Sequence, residues 1–242
     1  MKNSALFMGL SGLIISFDGC SQKAEPAPPA RTKSALNLRL KHELDSILVV
    51  DQRLRQMLFD KGNVQQRDSV IQAHQLTKSN TDWGLNKLLN QTDSVNLVRV
   101  EAIISQYGYP GKSLVGTPTN ESAFYVIQHS SRIPQYLPLI EQAARQGELP
   151  FVRYAMMLDR KLMNEEKPQV YGTQGYGVKV AGSSDFTLFI WPIQDPGHVN
   201  ERRQKAGFPD TVEAYAKDRM GVEYRVLTVD DVRRMPGYQP FK

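Results

Sequence analysis

Cysteine is nearly missing from this chain: its 242 residues hold one, Cys20. A single thiol closes no disulfide within the chain and builds no Cys-x-x-Cys metal clamp. Histidine is scarce as well, with four copies, His42, His74, His129 and His198. No His-Glu-x-x-His occurs and no two histidines share a helical face, so no metal site is expected, and no cofactor. The apolar run Ala5 to Phe17 is shorter than the about 20 residues a membrane span needs. Lys and Arg outnumber Asp and Glu by 30 to 25, a formal net charge of +5, but they form no block long enough for a nucleic-acid face. Nucleotide motifs are excluded by their spacing. Gly108-Tyr-Pro-Gly111-Lys112-Ser113 ends like a P-loop but has Gln106 where the early glycine belongs, and Gly172-x-x-Gly175-x-Gly177 reverses the order of a dinucleotide fingerprint. No Gly-x-Ser-x-Gly elbow is present.

What is present begins at the N-terminus. Lys2 gives a basic start, the apolar run follows, and Phe17-Asp18-Gly19-Cys20 ends it. That order reads as a secretory signal over residues 1–19. A small residue before a lone Cys resembles the cleavage box of bacterial lipoproteins, and the resemblance implies that Cys20 becomes the first mature residue and carries the lipid. Ser21 to Ala35 is polar and Pro-rich. Such a segment buries too little apolar surface to fold, and its prolines keep it extended, as a tether requires. The expected place is the bacterial cell envelope, lipid-anchored and facing the periplasm or the outer membrane. The membrane is then one partner, held through the lipid on Cys20, and nucleic acid is not expected.

The body, residues 36–242, has the length of one domain with a sizeable core. Leu40, Leu44, Ile47, Leu54 and Leu58 recur at helical spacing, with Asp51 where the stripe calls for an apolar residue and Arg55 one turn on. A second helix is expected from Asp93, as N-cap, to Gly108, with one or two more between Val64 and Leu89. Thr117-Pro118 reads as the start of a helix leading to Gln128-His129. Further helices are expected over Gln135–Arg145, from Pro150 past Leu162, over Val199–Lys205 and over Thr211–Met220. Gln169–Gln174 and Phe186–Pro192 are rich in strand formers and predict one β-hairpin within about residues 168–192. The fold class is therefore mainly α, a multi-helix domain with one small hairpin.

Asp93-x-x-Asn96, Gly108-Tyr-Pro-Gly111, Val115-Gly116, Gln128-His129, Asp159-Arg160, Gln169-x-Tyr171-Gly-Thr-Gln174 and Asp195…Arg202-Arg203 occur in this order. Together they resemble an uncharacterised bacterial family with a Tyr-Gly-Thr-Gln signature, over about residues 44–215. The family supplies positions and no reaction. The residues themselves supply the chemistry. A carboxylate on an apolar stripe, Asp51, is either paired inside or faces a cleft where burial raises its pKa. Its partner would be Arg55 or Arg160. His129 is a hydrogen-bonded helix-end histidine or a proton carrier working with Asp51 or Asp159. Asp159-Arg160 is a clamp between elements or an anion holder. Strand alternation puts Gln169, Tyr171 and Thr173 on one polar face and Val170 on the other, with Gln174 adding donors and acceptors; that face lines a pocket or is a solvated hairpin face held by Asp159-Arg160.

Two functions remain open. In the first, Asp51, His129 and Asp159 are catalytic, Arg160, Gln169, Tyr171, Thr173 and Gln174 bind ligand, and the protein is an acid–base hydrolase or transferase acting on a polar envelope substrate. In the second, the same residues are an internal network of a non-catalytic binding or assembly module whose partner is a glycan, peptide or protein. There Tyr107, Tyr109, Tyr176 and Trp191 would supply aromatic contacts. The anchor has its own test. Replacing Cys20 by Ser should move the protein from the membrane pellet to the soluble fraction, and a variant that still pellets with membranes contradicts the lipid assignment.

Overall fold

A computed structural model describes residues 35–59, 64–75, 77, 81–180, 182, 183 and 185–241. The expected signal and the tether, except for Ala35, lie outside the described residues, and so does Cys20. From residue 34 onward the chain is one compact unit. Among the described residues it holds ten α-helices and one two-stranded sheet, so the fold is mainly α. No helix among them is long and apolar enough to cross a membrane.

α1 (Leu38–Phe59) begins where Asn37 Oδ1 accepts from the Leu40 amide at 3.0 Å, an N-cap. Its stripe of Leu40, Leu44 and Ile47 is buried, each side chain contributing about 1.5–3 kcal/mol. α2 (Val64–Ala73) is followed by α3 (Thr81–Tyr107), which packs along α1. α3 starts about three turns earlier than the sequence predicts. Leu85 and Leu89 are buried and extend the stripe of Asn96, Val100 and Ile103 backward without a break, so Asp93 lies inside the helix and caps nothing.

α4 (Lys112–Val115) is a short turn of helix. Thr117-Pro118 does not open α5 directly. A 3₁₀ turn, Thr119–Glu121, comes first, and α5 is Ser122–Ile127. α6 (Ile133–Arg145) and α7 (Phe151–Asn164) form an antiparallel pair. Phe124, Ile127, Ile140, Tyr154 and Met157 from α5, α6 and α7 close the main core over Leu44, Ile47 and Val100.

The hairpin is shorter than expected and shifted. β1 is Gly175–Lys179 and β2 is Phe186–Ile190, paired antiparallel from Gly175 opposite Ile190 to Lys179 opposite Phe186. Gln169–Gln174 is therefore not a strand, and no two-residue alternation sorts its side chains. Gly172 has φ +70°, and a Cβ there would lie 2.7 Å from both Ile193 Cδ1 and Val212 Cγ2, so the loop turns at the one residue that fits. α8 (Val199–Ala206) and α9 (Val212–Met220, capped by Thr211) pack on the back of β2 through Ile190, Ile193 and Val199. α10 (Val229–Arg233) opens with a capping box between Thr228 and Asp231. It brings the C-terminal stretch over the hairpin, where Tyr176, Phe189, Trp191, Tyr238 and Phe241 form an aromatic cluster.

Candidate functional site

Asp159, on the inner side of α7, is fully buried. Its Oδ1 accepts from the Val170 amide at 2.8 Å and the Tyr171 amide at 3.0 Å. Its Oδ2 accepts from the Thr173 amide at 3.0 Å and Thr173 Oγ1 at 2.9 Å. Both oxygens act only as acceptors, so the ionised carboxylate is the form these bonds hold. Burial pushes its pKa up, and the amides of Tyr171, Val170 and Thr173 pull it back.

The loop around it is satisfied within itself. Gln169 Nε2 donates to the Gln174 and Trp191 carbonyls at 2.9 and 2.7 Å, and Gln169 Oε1 accepts from the Gln174 amide at 2.9 Å. Gln174 Nε2 donates to Thr173 Oγ1 at 3.0 Å. Tyr215 OH donates to the Thr173 carbonyl at 2.9 Å. Arg203, fully buried, donates from Nη1 to the Tyr171 carbonyl at 2.9 Å and pairs with Asp210. Arg202 Nε reaches the Val170 carbonyl at 3.0 Å. Of the residues expected at a site, Asp159, Gln169, Thr173 and Gln174 thus converge on one another, and their polar groups meet protein partners. The aromatic surface does not form. Trp191 is fully buried, its Nε1 donating to the Lys167 carbonyl, and Tyr176 packs in the C-terminal cluster. Tyr109 turns its hydroxyl onto the Asn120 carbonyl at 2.6 Å, leaving only Tyr107 exposed among the four.

A second group gathers where α1, α3, α5 and α7 meet. Asp51 is fully buried. Its oxygens accept from Arg55 Nε and Nη2, both at 3.4 Å, and from Gln52 Nε2 at 2.7 Å. Arg55 Nη2 makes its shorter bond, 2.6 Å, to Asp93 Oδ1 of α3. One cation between two carboxylates ties α1 to α3, and removing it would leave two like charges together. Burial raises the Asp93 pKa, and Arg55 opposes the rise. One turn on, Asn96 is buried with Nδ2 unpartnered.

His129 follows α5, partly buried, its backbone amide bonded to the Val126 carbonyl at 3.3 Å. Among the described residues its imidazole has no hydrogen-bond partner. Burial and the guanidiniums of Arg55 and Arg160 hold its pKa down to about 3, so it is neutral at pH 7. Arg160 of α7 is also partly buried, and it has no carboxylate partner among the described residues. Its one hydrogen bond runs from Nη1 to the Gln128 carbonyl at 3.4 Å. Burial, then Arg55, lower its pKa, while Tyr215 favours its charge. Arg160 and His129 are thus brought together, each short of partners. The sequence singled out Asp51, His129 and Arg160, and the structure places all three in this group. It quoted Asp93 within the signature without placing it at the site, because its contact with Arg55 crosses 38 residues.

No three His, Cys, Asp or Glu residues are grouped to hold a metal ion among the described residues. The imidazole sets a pH dependence. In the unfolded chain His129 takes up a proton near pH 6.5, while in the folded protein it does not until about pH 3. The unfolded state binds more protons across this window, so stability falls as pH drops below 6.5. From pH 6.5 to 4.5 the protein should lose about 2 kcal/mol more unfolding free energy than His129→Gln. Parallel losses in urea titrations of the two proteins contradict the placement of His129.

No curated protein matches the chain, and no solved structure does. A family described as a family of unknown function, DUF6624, matches residues 40–223, a span that takes in both polar groups and the hairpin. The chain belongs to that family of unknown function.

Proposed function

We propose that this protein is a lipid-anchored cell-envelope module that binds an anionic group of a polar envelope ligand between Arg160 and His129. The observation that carries this reading is the guanidinium of Arg160, partly buried with no carboxylate to meet it among the described residues. A partly buried cation without a counterion costs stability. In the neighbouring loop the side chains of Gln169 and Thr173 and the Nε2 of Gln174 are matched inside the protein, so the counterion of Arg160 is best supplied by a ligand. A guanidinium takes a carboxylate or phosphate in a two-pronged grip. The adjacent imidazole, neutral and unbonded, offers a ring N–H and a ring nitrogen to the rest of the ligand. Asp51, Arg55 and Asp93 fix the floor of the site, and Asp159 with Gln169, Thr173 and Gln174 fixes its wall. Tyr171 belongs to that wall by its backbone, whose amide reaches Asp159 and whose carbonyl accepts from Arg203.

An acid–base hydrolase or transferase on the same ligand is the second reading, favoured by the free nitrogens of His129. Its pKa of about 3 makes it a weak base by itself. A bound anion offsets the two guanidiniums and moves it toward the range useful for proton transfer.

The binding claim is tested by following the His129 ring resonances of the full chain in detergent while galacturonate is added. A saturable shift is expected, absent with uncharged galactose and lost in Arg160→Gln. No saturable shift, or one that survives Arg160→Gln, overturns the reading.

A further inference from the structure

The helices that carry this site also line an open groove of about 860 Å³, within the about 300–1,000 Å³ typical of small-ligand clefts. Its working residues are Gln52, Arg53 and Gln56 of α1, Glu121 and Tyr125 at α5, and Arg153 of α7. Each helix that lines the groove also reaches the site. On α1, Gln52 lines the groove and donates to Asp51, which accepts in turn from Arg55. On the α5 segment, Tyr125 precedes His129 by four residues, one turn. On α7, Arg153 precedes Arg160 by seven residues, two turns, or about 10 Å along the axis. The groove and the Arg160–His129 pair are thus carried by the same three segments, α1, α5 with the turn after it, and α7.

The lining has a definite chemistry. Arg153 Nε is fixed by Glu121 at 2.6 Å, and its guanidinium lies 5.2 Å from the centre of the Tyr125 ring. Arg153 is thereby fixed over the Tyr125 ring with its charge met by Glu121. Gln56 is exposed, Gln52 has a side-chain carbonyl not used by Asp51, and Arg53 has no ion pair among the described residues. Planar side chains that both donate and accept match the belt of hydroxyls around a sugar ring, and an aromatic ring matches its apolar face. Helices and helical turns line the groove without a sheet edge, so an extended peptide has no strand to join. The free charges, Arg53 and Arg160, are both positive.

We infer that the α1–α5–α7 corridor binds an acidic oligosaccharide, with one carboxylate at Arg160 and His129 and the following sugar rings along Gln52, Gln56 and Tyr125. This rests on the anion site proposed above and adds the ligand class and its direction. Arg53, exposed on α1, meets the next carboxylate of the chain.

The test compares galacturonate with trigalacturonate by calorimetric titration into the full chain in detergent, with circular dichroism confirming that each variant is folded. Trigalacturonate should bind at least about 10-fold tighter than the monomer. The double variant Arg53→Gln/Gln56→Ala should bring the trimer to within about two-fold of the monomer, acting on the trimer alone, and Arg160→Gln should abolish binding of both. If the monomer binds and the trimer gains nothing, or if the double variant leaves the trimer unaffected, the corridor assignment is overturned while the anion site stands. If neither sugar binds, the anion site falls and the corridor falls with it.

Discussion

The buried carboxylate of Asp159 organises the part of the molecule on which the rest depends. A charge in the interior is tolerated when its acceptor positions are filled by well-aimed donors. Here three backbone amides, at Val170, Tyr171 and Thr173, point at one side chain. This fixes a loop that has no ladder partner for most of its length. Through that loop Asp159 joins α7 to the hairpin, and Arg203 and Tyr215 add α8 and α9 by binding the Tyr171 and Thr173 carbonyls. The second and third apolar clusters are thereby attached to the first.

The same helix divides two duties between adjacent residues. Asp159 faces inward to the loop, and Arg160, about 100° further round α7, faces the end of α5. One residue is fully matched and the next is not, which is the contrast expected between scaffold and binding group. The Asp51–Arg55–Asp93 bridge follows the scaffold pattern, with each charge paired. Its guanidinium still acts at a distance, since after burial it is Arg55, with Arg160, that holds the His129 pKa down. Under the proposed function these residues are partly framework and partly site, and the framework share is the larger.

Much of the helical architecture was legible because single stripes carry it. Leu40, Leu44 and Ile47 announce α1, and Phe151 to Leu162 announces α7. Asp51 stood out as a polar residue on such a stripe, and its burial against Arg55 follows from that position. Two features misled. Asp93 has the chemistry of a cap, but Leu85 and Leu89 carry the helix through it, and tertiary packing outweighs a local capping preference. Gln169–Gln174 has the composition of a strand, but its amides bond to a side chain 11 residues or more back, a long-range choice invisible in local propensity. The groove was missed for a related reason. Gln52, Tyr125 and Arg153 belong to three helices, and nothing in the spacing within any one of them brings the three together.

The most direct test of this account is amide hydrogen exchange at Val170, Tyr171 and Thr173, in the native protein and in Asp159→Asn. Losing the charge weakens several charge-assisted bonds of about 1.5–3 kcal/mol each. The three amides should be among the slowest outside the helices in the native protein. They should exchange at least about 100-fold faster in the variant, while the Leu44 and Ile47 amides of α1 change far less. Fast exchange at the three positions in the native protein, or undiminished protection in Asp159→Asn, would contradict the claim that this carboxylate holds the loop.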